Sequence, residues 1–271
     1  MKKTIFWILA VVITLASAYY QRTTGPTYPK KINIELSGDI LEFKLPRSNV
    51  SEENCLIEIP VNNQNIQGEI YYKRFPTNEK FNIVKLNIED SKLVGYLPKQ
   101  DPAGKLEYFI RLSDENNMAS TEHVVIRFKG SVPAWALIPH ILFMFIAMLI
   151  SNLAGLFALG KVEKHVFYGK LTLGLLILGG LIFGPIVQYY AFGQAWTGVP
   201  FGWDLTDNKT LIAVLFWVVA VLGNRKKPQY RYTLIAAIVL LLIYIIPHSL
   251  FGSELNYTSG EVVTGFIKLV L

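Results

Sequence analysis

The chain is 271 residues long, 52% hydrophobic and 17% charged, and a mean hydropathy of +0.35 excludes a wholly water-soluble globule. The formal net charge is +6, yet the basic excess gathers in short turns between apolar runs; without a basic stripe carrying interleaved aromatics, this argues against a nucleic-acid partner. The single cysteine, Cys55, excludes an internal disulfide, a CxxC redox pair and a multi-cysteine zinc site.

The N-terminus, MKKTIFWILAVVITLASAYY, places two lysines before an apolar run that ends in Ala16-Ser17-Ala18, the small residues a signal peptidase accepts. Residues 1–20 therefore read as a signal peptide or as a retained anchor. A helix from Thr4 to Tyr20 spans about 25 Å at 1.5 Å per residue, a little short of the roughly 30 Å bilayer core. Either way the lysines hold the start in the cytoplasm and send Gln21 onward to the exported side.

Residues 21–130 form the next region. The runs KINIEL, DILEFKL, CLIEI, GEIYYKRF, NIVKLNI, KLVGYL, KLEYFIRL and HVVIRF alternate polar and apolar residues with period two, separated by PTNE, KQDPAG and SDENN. About seven or eight strands over some 100 residues is the pattern of a two-sheet sandwich. The stretch from GEIYYKRF to SDENN resembles the later strands of exported fibronectin-III-like domains, which implies a β-sandwich with Tyr108 as a core aromatic. Such folds mostly bind or space, and the fold alone licenses no activity.

Residues 131–252 read as four transmembrane helices. The first runs from Ser131 to Leu159 with Pro133 in its first turn, and the second from Leu171 to Phe192 with the small-xxx-small pair Gly180 and Gly184 and a kink at Pro185. The apolar run Leu211 to Leu222 is too short to cross, so the third helix must begin near Asp204, with Asp204 as N-cap and Asp207 at the third position. The fourth runs outward from Thr233 to Leu250. Lys161, Lys164 and Lys170, then Arg225, Lys226, Lys227 and Arg231, mark the cytoplasmic turns. Residues 253–271 remain as an exported tail, its end VVTGFIKLVL lying along the membrane surface.

The polar and aromatic groups concentrate between Gly193 and Thr210, GQAWTGVPFGWDLTDNKT. Ile138-Pro139-His140 and Ile246-Pro247-His248 fall at the same exported end, each proline freeing a helical carbonyl, at Trp135 and Ile243. Two readings stay open for the histidines: ligands of haem b with Trp196, Phe201 and Trp203 closing over it, or interfacial side chains satisfied locally. Asp204, Asp207 and Lys209 either line an ion or substrate path or serve as caps and a snorkelling lysine. Asn152 and Gln188 suit interhelical hydrogen bonds, and His165, in a cytoplasmic turn, suits a solvent-facing or structural role. No HExxH, GxSxG, Walker A, GxGxxG or DxDxDG motif occurs, and no metal site or catalytic residue is expected.

GPIVQYYAFG, TGVPFGWDLTDNKT and IPHSLFGSEL together resemble uncharacterised bacterial integral membrane proteins with an exported fibronectin-III or immunoglobulin-like domain, a likeness that implies a bacterial inner-membrane location and no activity. The expected architecture is an α+β multi-domain membrane protein: an exported all-β sandwich followed by a four-helix bundle. The favoured function is a non-catalytic interaction or assembly subunit with a membrane or periplasmic protein partner, the periplasmic sandwich binding it and the bundle positioning the sandwich. A haem-binding or electron-transfer protein using His140 and His248 is the alternative, and a small transporter subunit the third.

Overall fold

The computed structural model describes residues 2–63, 65–248 and 252–264. Their contacts divide the chain into a β unit, Thr27–Ser131 with Ser253–Val263, and a helical unit that includes Met1–Pro26 and Val132–Gly252.

The β unit is built on the alternation seen in the sequence. Its strands are β1 (Lys30–Leu36), β2 (Asp39–Leu45), β3 (Ser48–Val50), β4 (Cys55–Pro60), β5 (Gln67–Arg74), β6 (Asn82–Lys85), β7 (Asn87–Glu89), β8 (Lys92–Leu97), β9 (Lys105–Ser113), β10 (Met118–Ser120) and β11 (Val124–Lys129). One sheet has the order β3-β11-β9-β5-β6 with β10 beside β9, a second is β4-β8-β7, and β1 pairs with β2. In β4, Cys55, Ile57 and Ile59 are buried while the residues between them are exposed, the period-two signature of a half-buried strand. Inward residues from all the sheets join one core, with Ile57, Ile70, Leu93, Tyr108, Ile110 and Phe128 at its centre. The Tyr108 hydroxyl, which would otherwise be a buried unpaired group, donates to the Pro46 carbonyl at 2.7 Å. Ser37 and Gly38 both have positive φ, 56° and 84°, as the two-residue turn between Leu36 and Asp39 demands.

The run NIVKLNI, expected as one strand, is two. Asn82–Lys85 pairs with β5 and Asn87–Glu89 with β8, so the chain changes sheets at Leu86, whose side chain is buried and whose N–H reaches the Gly68 carbonyl at 2.8 Å. The tail also departs from expectation: β12 (Ser253–Leu255) and β13 (Val262–Thr264) form a hairpin, and residues up to Val263 belong to the β unit. The reason is polar: the buried Arg127 guanidinium donates to the Ser253 carbonyl, Lys105 pairs with Glu254 at 2.9 Å, and Lys105 N–H donates to the Tyr257 hydroxyl at 2.9 Å. The end of VVTGFIKLVL, from residue 265, lies outside the described residues.

The helical unit comprises α1 (Lys2–Thr24), α2 (Ala134–Leu159), α3 (His165–Leu176), a π-helical segment (Ile177–Phe183) leading into α4 (Gly184–Phe192), α5 (Leu205–Gly223) and α6 (Tyr230–Ile245). Among the described residues, four helices are long and apolar enough to cross a membrane: Lys3–Thr24, Ala134–Leu159, His165–Phe192 and Leu205–Gly223. The first is longer than expected, because the helix continues through Tyr20 to Thr24. α6 is shorter and shifted: it starts at Tyr230 and stops before Pro247, with Ile246 extended at ψ 121°, since a residue preceding proline is driven out of the helical region. Pro247 therefore lies outside the helix, whereas Pro139 lies inside α2 and Pro185 at the start of α4. The continuation of the fourth expected helix to Leu250 falls outside the described residues.

Small residues set the helix spacing. A Cβ on Gly155 of α2 would lie 2.7 Å from the Ala237 Cβ of α6, and one on Gly180 would lie 2.6 Å from the Thr210 methyl of α5, so both positions admit only a hydrogen. Trp217 fills the centre of the bundle and is fully buried. α1 packs through buried Ala10 beside Leu153 and Phe157, and Asn152 of α2, buried in the apolar interior, donates to the Thr14 hydroxyl at 3.0 Å.

Candidate functional site

The loop between α4 and α5 is built from its ends. α4 stops at Gly193, which takes the left-handed conformation with φ 78°, a conformation that favours glycine. α5 starts at Asp204, whose carboxylate accepts from Thr206 N at 2.8 Å and Asp207 N at 3.3 Å. Asp204 is the N-cap and is buried; its charge complements the positive end of the helix dipole.

Asp207, one turn into the helix, reaches back to organise the loop. Its Oδ2 accepts from Thr197 N at 2.6 Å, Thr197 Oγ1 at 3.1 Å and Gly198 N at 3.1 Å, and from Gln188 Nε2 of α4 at 3.0 Å. Beside it, Asn208 Oδ1 accepts from Val199 N at 2.8 Å, and the Trp196 indole donates to the Val199 carbonyl at 3.2 Å. A buried carboxylate with several donors is a satisfied charge rather than a free base. The result is a fixed scaffold carrying an apolar tip: Val199 is 42%, Phe201 82% and Trp203 64% exposed.

Lys209 follows on the next turn. It is buried, 5% exposed, and its Nζ donates to the Ile246 carbonyl at 2.9 Å and the Pro247 carbonyl at 3.5 Å. Those carbonyls emerge where α6 ends, so Lys209 serves as a cation at a helix C-terminus and ties α5 to α6. Gln21 of α1 does the same for the Tyr244 carbonyl at 2.6 Å. A small cavity of about 20 Å³ lies among Gln21, Thr206, Lys209, Thr210, Tyr244 and His248, room for about one water molecule.

His140 and His248 lie against different neighbours. His140 Nδ1 is 2.8 Å from the Gly179 carbonyl in the π-helical segment; because a carbonyl can only accept, Nδ1 carries the proton. His248 is exposed and borders the small cavity. A haem slot belongs to the class of pockets of roughly 300–1,000 Å³, and the cavity beside His248 among the described residues is far smaller. Among the described residues no group of three or more His, Cys, Asp or Glu side chains could hold a metal.

The structure thus gathers Trp196, Trp203, Asp204, Asp207 and Lys209 around one loop and its flanking helix, with His248 at the cavity beside Lys209 and His140 on α2 against the π-helical segment. Sequence reasoning had not seen the roles of Thr197, Asn208 and Gln21. The signal for Asn208 was present: an Asx side chain in the first turn of a helix can reach back to the preceding backbone. His165 is fully buried, its Nδ1 2.8 Å from the Thr233 hydroxyl. Comparison of the chain with protein families, with curated proteins and with solved structures finds no match.

Proposed function

We propose that this chain is a multi-span bacterial inner-membrane protein with a non-catalytic role, an interaction or assembly subunit whose partner docks on the Val199–Trp203 tip. One observation carries the reading: an apolar loop tip held exposed by side-chain hydrogen bonds to its own backbone. Pre-ordering of this kind lowers the entropy cost of association, and aromatic anchors are where binding energy concentrates. The titratable groups beside the tip are already engaged as cap, loop anchor and helix tie, which counts against both chemistry and an ion path there.

Membrane insertion is supported by the exposed apolar side chains along the long helices, such as Ile8 and Leu15 on α1, Ile146 on α2, Ile182 in the π-helical segment and Val219 on α5, a surface far larger than a soluble protein tolerates. The basic turns 161–164 and 225–231 meet at one end of the helical unit, where the Tyr230 hydroxyl donates to the Lys161 carbonyl; the chain leaves for the β unit from the opposite helix ends, which supports an exported β unit. The pairings β4 with β8, β5 with β9 and β6, and β9 with β11 support a fibronectin-III-like sandwich and, with it, the resemblance to bacterial membrane proteins carrying such a domain. The Thr14 to Asn152 and Gln21 to Tyr244 bonds favour α1 as a retained helix of the bundle rather than a cleaved signal.

The test is photocrosslinking in intact cells from a benzophenone amino acid at Phe201 or Trp203, with the captured protein weighed intact. A defined protein adduct at both sites, lost from the copurified complex in a Phe201→Ser/Trp203→Ser variant of normal abundance, is expected. Crosslinks to lipid alone would refute the docking role, and a mass lacking residues 1–18 would refute the retained helix.

A further inference from the structure

The end of the helical unit away from this tip carries charge with no counterpart. Lys161 and Lys164 in one turn, and Arg225, Lys226, Lys227 and Arg231 in the other, are all exposed, against the single acid Glu163. The ion pairs among the described residues all lie in the β unit, so none engages these cations.

These turns stand on a fixed base. The Tyr230 hydroxyl donates to the Lys161 carbonyl at 3.2 Å, joining the two turns. The Tyr230 ring lies 4.8 Å from that of fully buried His165, which contacts Thr233. Asn224 donates to the same Thr233 hydroxyl at 3.2 Å and accepts from Gln229 N at 2.6 Å. Immediately inside the cations the surface turns apolar: Leu159, Phe167, Leu222 and Tyr232 are 66%, 64%, 52% and 44% exposed.

We infer that this end binds anionic phospholipids, the cations taking the phosphodiester headgroups and the flanking apolar side chains the upper acyl chains; the inference rests on the membrane reading above. Charge complementarity selects the occupant: unpaired ammonium and guanidinium groups favour phosphate oxygens, and basic pockets between membrane helices on the cytoplasmic side suit anionic headgroups. A nucleic acid would match the charge but leave the apolar band without a partner.

The experiment is native mass spectrometry of the full chain released from detergent with equimolar phosphatidylglycerol and phosphatidylcholine. Wild type is expected to retain phosphatidylglycerol in preference, and Lys226→Gln/Lys227→Gln/Arg231→Gln to lose about a hundredfold of that preference. Lys161→Gln/Lys164→Gln, expected to lose about tenfold or more, keeps the test alive should the triple variant fail to insert. Equal retention of the two lipids by wild type, an unchanged preference in a folded variant, or displacement of the lipid by equimolar glycerol phosphate or a short RNA would overturn the inference. A chain that stays soluble and monodisperse without detergent would instead overturn the membrane reading itself.

Discussion

In the β unit the core is apolar and the surface mixes polar side chains with scattered apolar ones, and even its aromatic face is laced with charge: Tyr71 and Phe109 stack at 4.9 Å, Phe109 and His123 at 4.7 Å, with the Arg111 guanidinium 4.5 Å above Tyr71. In the helical unit the outside is apolar as well as the core. Apolar side chains line its outer faces, whereas Asn152, His165, Asp204, Asp207 and Lys209 are all buried. The difference teaches how to read polarity in each. On the sheet a polar residue is ordinary and identifies little; in the bundle interior, among apolar neighbours, a buried polar group costs stability unless the structure gives it a partner. Here that partnership is architectural: Asp204 caps, Asp207 braces, Lys209 ties and Asn152 fastens α1.

The largest expected effect breaks the comparison at its surface. Ile146, 42% exposed near the middle of α2, and Ile40, 67% exposed on β2, are both exposed isoleucines with opposite surroundings. Ile146→Asp should cost about 2.5–3.5 kcal/mol of insertion and strip the protein from the membrane fraction, whereas Ile40→Lys should change stability by no more than about 0.5 kcal/mol. Equal abundance of both variants in the membrane fraction would mean that the outer face of α2 does not meet lipid.

A second substitution sharpens the claim that buried polarity in the bundle is structural. Asp207→Ala removes the acceptor of Thr197 N and Gly198 N and, by leaving buried donors unpaired, should cost about 1–3 kcal/mol. The loop at 194–203 should become the first site of limited proteolysis while α1 and α2 stay protected. Unchanged cleavage kinetics would show that the loop holds its shape without Asp207.

Much of the architecture was readable because period-two alternation and long apolar runs are direct consequences of burial geometry. What stayed hidden were effects that act across the fold. NIVKLNI alternates without a break, so nothing local marks Leu86 as the place where the strand changes sheets. The apolar run after Thr233 continues past Ile245, which drew the helix too far, although Pro247 carried the stop signal. The capping role of Asp204 could be argued from the shortness of the run that follows. The role of Lys209 could not, because its partners, the Ile246 and Pro247 carbonyls, lie 37 and 38 residues away in sequence. The same holds for Arg127 and Lys105, whose partners sit in the returning tail.

The smallest effect probes polarity on the β unit, where it should act only at the margin. Glu107 lies 2.7 Å from the His123 ring nitrogen and 3.2 Å from Lys73. Partial burial pushes its carboxyl up, but the hydrogen bonds from His123 and Lys73 outweigh this and hold it below the usual 4.5. A carboxyl lowered on folding stabilises above the unfolded value and loses that contribution as pH falls through the folded one. Wild type should therefore lose stability more steeply than Glu107→Gln as pH drops below about 4.5, and should exceed it slightly at neutral pH. The readout is the difference between two denaturation series across that range, since the remaining carboxylates titrate alike in both proteins. Parallel curves would mean that solvent screens these partners so fully that the surface network adds nothing, as many exposed ion pairs do. A crossing near the expected pH would mark the Glu107, His123 and Lys73 cluster as an exception to the rule that polarity on this sheet is incidental.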